Sequence, residues 1–437
     1  MKRKLRNALN LLKYRAMLVA AFCWRRLLFR TRFIAITGSV GKTTTKNLLA
    51  EMLSGMPART LSTRQSANGV KHIARDILRV RPWHRFVVLE TGTSRAGWIA
   101  RSAWLIRPDV AIILAVARTH TNNFRSLEET AAEKAALLTG LRRNCLAILN
   151  RDDFRVAAMA KNCPARVFWF GSSPEADLRA TSVSGRWPER FSVSAATKGQ
   201  TQKISTQLVG THWTASVLAA VSAALACGMD LNRAAQLISQ VKPTPARMEP
   251  CLLPCGATIL RDDVNGSLDT FLVAFEALKA SQAQRKILVI TTVGDSPESW
   301  EHRLMRIAAE SAGAVDMLVL AGKRKDTKRA RNAAMKQGLP AEALHEFETL
   351  RELSGFLKST LRFGDLVLLR GRTTDHMARV YHAQLKEVTC WKTTCSERIL
   401  CDNCPQLRAH DNQAPVTGVR LKDHSGLYSP IQPSPIP

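Results

Sequence analysis

The sequence predicts an α/β protein: a parallel-sheet domain built around a phosphate loop, followed by a smaller Rossmann-like α/β domain. Three observations carry this. Between residues 33 and 170, short apolar, β-branched runs alternate with longer helix-like segments. The first run, FIAIT at 33–37, leads straight into Gly38-Ser39-Val40-Gly41-Lys42-Thr43 and then a helical pattern over 44–53. Beyond a proline-containing segment, VKPTPA at 241–246, strands and helices alternate again to residue 370.

A chain of 437 residues exceeds what one hydrophobic core holds, and 46% hydrophobic content is ample for two or three domains. The expected divisions are 1–32, 33–245, 246–388 and 389–437. Ten cysteines, scattered apart from one late cluster, do not suggest a disulfide scaffold. A net charge of +29 suits a polyanionic partner: nucleic acid, anionic lipid or an anionic polymer.

Residues 1–32 hold ten Lys or Arg and no acid. The uncharged stretch inside them, 16–24, is too short to span a bilayer, and no small-residue cleavage site follows it. The expectation is a basic amphipathic helix lying on an anionic membrane face. A helix packed on the first domain, or one that recruits a partner protein, accounts for the same residues equally well.

The strand–glycine turn–Lys-Thr–helix order makes a phosphate cradle. Gly38 and Gly41 let backbone N–H groups approach the phosphates, Lys42 adds a point charge, and the Thr43 hydroxyl reaches magnesium. Thr44 follows in the first helical turn. The spacing is GxxGKT, shorter than the common GxxxxGK[ST]. Further strands are expected at 86–90, 109–115, 145–150 and 166–170, with helices at 98–106 and 128–141. This alternation predicts a parallel sheet covered by helices on both faces, with ligands at the carboxyl ends of its strands. Glu90, His120, Asn150 and Asp152 fall there. A carboxylate and an imidazole near a nucleotide are plausible ligands for a hard cation.

In the second half, strands are expected at 258–261, 286–292, 317–321 and 366–370. Cys390, Cys395, Cys401 and Cys404 then form CxxxxC-x5-CxxC. Four thiolates at short spacing suit a structural zinc, although the spacing is irregular for a zinc ribbon. Residues 406–437, rich in Pro, Ser and charge, read as a partly disordered tail.

Taken in order, these landmarks resemble the Mur ligase family, ATP-dependent enzymes that add amino acids or peptides to peptidoglycan precursors. Within it they are similar to the UDP-N-acetylmuramoyl-tripeptide–D-alanyl-D-alanine ligase branch. The matching stretches are ITGSVGKTTTK (36–46), SANGV (66–70), VVLETGTSRAGWI (87–99), RPDVAIIL (107–114), His120 and EKAALL (133–138). They continue with AILNRDD (147–153), GTH (210–212), ARME (246–249), DDVNGS (262–267), VGD (293–295) and FGDLVLLRG (363–371).

The resemblance implies roles. Lys42 and Thr43 would bind ATP phosphates and magnesium. Glu90 and His120 would hold magnesium. Lys134 would be the carbamylated lysine that bridges a second magnesium. Arg247 would reach the phosphates from the second domain, His212 would belong to the nucleotide-binding residues, and Asp263 would contact the ribose; Ser216 stands where the family has the asparagine expected near the adenine. The reaction would activate a carboxylate as an acyl phosphate for attack by an amine, giving an amide, ADP and phosphate.

There are departures. Family members carry a separate N-terminal UDP-sugar-binding domain, whereas here the phosphate loop begins by residue 38, so that domain is expected to be missing. The pattern HNxxN appears as His212-Trp213-Thr214-Ala215-Ser216, DDSYN as Asp262-Asp263-Val264-Asn265, and the late KGS as Arg370-Gly371-Arg372. The expected protein is a cytoplasmic acid–amino-acid ligase of envelope or capsule synthesis, peripheral on the inner membrane face. Its partners would be a carboxylate acceptor and an amino acid or peptide. The alternative is a non-catalytic nucleotide-binding or nucleic-acid-binding protein that keeps the fold. No nucleic-acid module is recognisable and few aromatics interleave with the basic residues, so a nucleic-acid partner is not expected.

Overall fold

The computed structural model describes residues 2–408 apart from 65, 94, 118–123, 125, 265–266, 292–293, 295–297, 394 and 396–399. His120, the VGD stretch at 293 and 295, Asn265 and the tail beyond 408 therefore lie outside the described residues.

The first sheet has nine strands: β1 (Arg32–Thr37), β2 (Arg59–Ser62), β3 (His84–Glu90), β4 (Val110–Ile113), β5 (Leu146–Asn150), β6 (Arg166–Gly171), β7 (Leu178–Ser184), β8 (Ser192–Thr197) and β9 (Gln200–Ser205). Their order is β2-β3-β1-β4-β5-β6-β7-β8-β9. The strands from β2 to β7 are parallel, and β7, β8 and β9 are antiparallel. The five strands expected from sequence all lie in the parallel part, and β7–β9 extend it with antiparallel pairings. β7–β9 are short and polar on one face, so they lack the continuous apolar runs that mark parallel strands. β1 shows such a run: all its residues except Arg32 are buried.

The second sheet comprises β10 (Glu249–Leu252), β11 (Thr258–Asp262), β12 (Arg285–Ile290), β13 (Met317–Ala321), β14 (Leu344–Phe347) and β15 (Asp365–Arg370), ordered β10-β11-β15-β12-β13-β14. Only β10 runs antiparallel to its neighbour.

Five helices frame the site: α1 (Lys2–Leu27), α2 (Lys42–Ser54), α3 (Val70–Arg79), α4 (Trp98–Ile106) and α5 (Leu127–Ala135). The helix expected over 128–141 ends early at Ala135, and a 3₁₀ turn, Leu138–Gly140, follows. α1 packs its C-terminal half on α3 and α4. Ala21 is fully buried there, the Trp24 indole N–H donates to Val80 O at 3.0 Å, and Arg25 Nε donates to Ile106 O at 2.6 Å. Arg25 also pairs with Asp109 at 3.2 Å and lies over the Phe33 ring.

Candidate active site

The loop after β1 enters α2 through Gly41, whose φ of +81° favours glycine. A Cβ on Gly41 would sit 2.5 Å from Ser216 Oγ. Ser216, the serine in the place of the family asparagine, thus lies directly against the phosphate loop. Lys42 Nζ donates to Gly38 O at 2.7 Å and Ser39 O at 3.2 Å, folding over the loop. Burial lowers the Lys42 ammonium below its ordinary pKa, and nearby Glu90 opposes the shift.

Glu90, at the end of β3 and 1% exposed, is the hub. It accepts from Thr43 Oγ1 at 2.9 Å and from Asn68 Nδ2 at 2.8 Å. Thr43 Oγ1 also lies 3.1 Å from Ser66 Oγ, and Arg247 Nη2 donates to that hydroxyl at 3.2 Å. Hydroxyl, carboxylate and amide oxygens gathered beside a phosphate loop suit magnesium, a hard cation. The structure therefore brings together Lys42, Thr43, Glu90 and Arg247, and adds Ser66 and Asn68. These last two sit in SANGV, a family landmark whose chemical role spacing alone does not reveal. Thr44 is buried in the first turn of α2.

Arg247 follows Ala246 (φ +57°) and precedes Met248 (φ +49°), two left-handed non-glycine residues. Such backbone is costly and persists only where packing enforces it. Ala246 N donates to Glu249 Oε2 at 2.9 Å, and both flanking side chains are buried. The strained segment aims the guanidinium across to the phosphate loop.

Lys134 is 4% exposed in the last turn of α5. Burial, with the Lys42 charge adding to it, pushes its pKa down to about 7. Its neighbour Glu133 accepts from Gly97 N at 2.7 Å and Ile99 N at 2.8 Å, closing the open N-terminus of α4. That cap fixes the position of α5 and hence of Lys134.

Asn150 and Asp152 are occupied with backbone. Asn150 Nδ2 donates to Leu114 O, and Asp152 accepts from Ser172 N and Ser173 N. His212 lines a cleft of about 780 Å3 together with Gly210, Arg186, Glu189, Val273 and Gln282. Burial lowers the His212 imidazole to about 4, so it is neutral near pH 7.

Asp263 is held by Arg261, whose Nη2 lies 3.1 Å from Asp263 Oδ2. The same guanidinium binds Asp402 at 2.7 Å and approaches Glu249 at 3.7 Å. The carboxylate expected at a ribose is thus one of three around a buried arginine. Arg370, fully buried, pairs with Asp262 and donates to Ser267 O at 3.1 Å and Thr270 Oγ1 at 2.6 Å. Burial, with Arg247 nearby, lowers its pKa to about 9.

Cys390, Cys401 and Cys404 are buried in a small cluster with Ala378, Val388 and Leu407, while Cys395 is only partly covered. Among the described residues no three His, Cys, Asp or Glu side chains are gathered as a metal site. The described residues lend the zinc expectation no support: Cys390, Cys401 and Cys404 pack among apolar neighbours, and Cys401 Sγ lies 3.4 Å from His376 Nδ1.

Comparison with known proteins matches residues 36–224 to the Mur ligase middle domain and residues 246–373 to the Mur ligase glutamate ligase domain. The chain belongs to the Mur ligase family, whose members are ATP-dependent amide-bond ligases. UDP-N-acetylmuramoyl-tripeptide–D-alanyl-D-alanine ligase of Escherichia coli is 28% identical over 306 residues, 69% of this chain and 66% of that one. The Mycobacterium tuberculosis ligase of the same name is 26% identical over 82% of this chain and 73% of its own. The Mur ligase fold is seen also in MurF from Acinetobacter baumannii, with a TM-score of 0.77 at 22% identity over 85% of this chain and 81% of that one. MurF from Thermotoga maritima, solved in complex with ADP, gives 0.73 at 18% identity over 85% and 83%.

Proposed function

We propose that this Mur ligase activates a carboxylic acid with ATP and transfers the acyl group to the amine of an amino acid or short peptide, in envelope or capsule synthesis. The observation that carries this is the convergence of Lys42, Thr43, Glu90 and Arg247 from both sheets at one phosphate loop, with the buried Lys134 close enough to feel the Lys42 charge. A nucleotide-binding module has no use for a buried lysine held near neutrality at that place.

Lys42 and the loop amides would hold the β- and γ-phosphates. A substrate carboxylate oxygen attacks the γ-phosphorus, ADP leaves, and an acyl phosphate forms. The amine nitrogen then attacks the acyl carbon, inorganic phosphate leaves, and the nitrogen loses its proton. Magnesium held by Thr43 and Glu90 would neutralise charge on the phosphoryl oxygens. Arg247 would face the same oxygens from the second unit. A neutral Lys134 amine can add carbon dioxide, losing a proton to give a carbamate, and the Lys42 charge favours that anion. ATP places the work in the cytoplasm.

The relatives' names point to D-alanyl-D-alanine as the first amine to try. ADP and phosphate release is measured with magnesium, bicarbonate, a panel of amino acids and that dipeptide, with membrane extract supplying acceptors. Turnover that needs one amine and vanishes in Lys42→Ala is the expected result. ATP binding abolished by Lys42→Ala, with no turnover under any condition, would leave the binding module as the function.

A further inference from the structure

α1 is 26 residues long, about 39 Å at the helical rise. From Leu5 to Lys13 every residue is exposed, so this half stands clear of the domain. From Tyr14 onward one face, through Met17, Leu18, Ala21 and Trp24, packs on α3 and α4. The opposite face is apolar too. Leu5, Leu9, Leu12, Ala16, Val19 and Leu27 recur at steps of three, four and eight, which places them in one stripe along the outer side. Leu5 is 72% exposed, Leu12 64% and Leu27 66%.

Basic residues border this stripe. At 100° per residue, Lys13 and Arg15 stand about 80° to either side of Leu5, and both are exposed. Arg6 lies on the Lys13 side. None of the three pairs with a carboxylate among the described residues, and residues 1–32 contain no acid. At the inner end of the helix, Trp104 stacks on Phe22 at 4.3 Å and stays 56% exposed, an aromatic suited to the headgroup level. Among the described residues no helix is long and apolar enough to cross a membrane. An apolar stripe edged by unpaired cations matches a helix lying in the plane of an anionic bilayer.

We infer that the outer face of α1 docks this ligase on an anionic lipid surface, the leucines entering the acyl boundary and Arg6, Lys13 and Arg15 meeting lipid phosphates. The occupant is a membrane rather than a second copy of the chain, because two such helices would bring like charges together.

The full-length protein is sedimented, without ATP, with vesicles of phosphatidylcholine alone or mixed with phosphatidylglycerol. Binding is expected to the mixed vesicles only, to weaken with salt, and to fall about tenfold or more in Leu5→Ser/Leu9→Ser/Leu12→Ser. Lys13→Glu/Arg15→Glu should lower it comparably. These side chains are exposed, so melting temperature and ATP binding should be unchanged and report an intact fold. Equal binding to both vesicles, or unaltered binding in both variants, would overturn the inference. So would a dimer in sedimentation velocity that the triple variant dissolves while vesicles bind neither form. Since no turnover is read, failure here leaves the ligase activity standing, and the reverse.

Discussion

At the scale of single residues, the site is governed by buried charge. Lys134 has an ordinary pKa near 10.5 when unfolded and about 7 when folded. Between those values the unfolded chain binds the extra proton, so stability rises with pH across that window and the deficit is fully present below pH 7. Lys134→Met is therefore expected to stabilise the protein at pH 7, by at most about 5 kcal/mol, and to flatten the rise toward pH 10. Chemical denaturation at several pH values measures both, and ADP release should be lost. Burial lowers the Arg370 pKa as well, but Arg370 has a carboxylate partner. Its removal leaves Asp262, 7% exposed, without a counter-charge. Arg370→Met should cost about 3–5 kcal/mol in urea unfolding. Ala246→Gly tests the strained approach to Arg247: relief of the left-handed backbone offsets the lost buried methyl, so stability should stay within about 1 kcal/mol. Turnover should nevertheless fall, because the guanidinium is no longer held in place.

At the scale of elements, the α4–α5 junction shows how a cap positions a functional group. The two oxygens of Glu133 each take one N–H of the α4 terminus. Glu133→Gln keeps one acceptor and Glu133→Ala none, so thermal unfolding should rank them in that order, the alanine costing about 1–2 kcal/mol. The apolar strands β1, β3–β6, β11–β13 and β15 were legible in the sequence because burial on both faces writes a continuous run. β7–β9 and the short β2, β10 and β14 were not, being held by tertiary pairing rather than by a local pattern. The phosphate loop and Glu90 were legible because chemistry and strand end coincide. Ser66, Asn68 and Glu133 were not, since their roles depend on loops meeting from distant parts of the chain. The cysteine spacing does not by itself make a site legible, because spacing says nothing of where the sulfurs point. α1 carried two readings because it has two apolar faces, and the structure assigns the inner one to packing on α3 and α4.

At the scale of the whole molecule, the two sheets meet through the loop around Arg247, and Asn47 Nδ2 reaches Thr244 Oγ1 at 2.9 Å across the same junction. Anything that moves the second sheet moves Arg247 relative to the phosphate loop. The far end of the chain takes part as well, since Asp402 reaches back over 141 positions to Arg261. Asp402→Ala should lower the unfolding free energy by only about 1–2 kcal/mol, because Arg261 keeps Asp263 and Glu249. The same ion pair makes the turn Cys401–Asn403 a clasp on β11 of the second sheet. A protease nick near residue 390 would cut no strand, yet it would release Asp402. Amide exchange in β10 and β11 should then speed up together, as one cooperative unit coming loose.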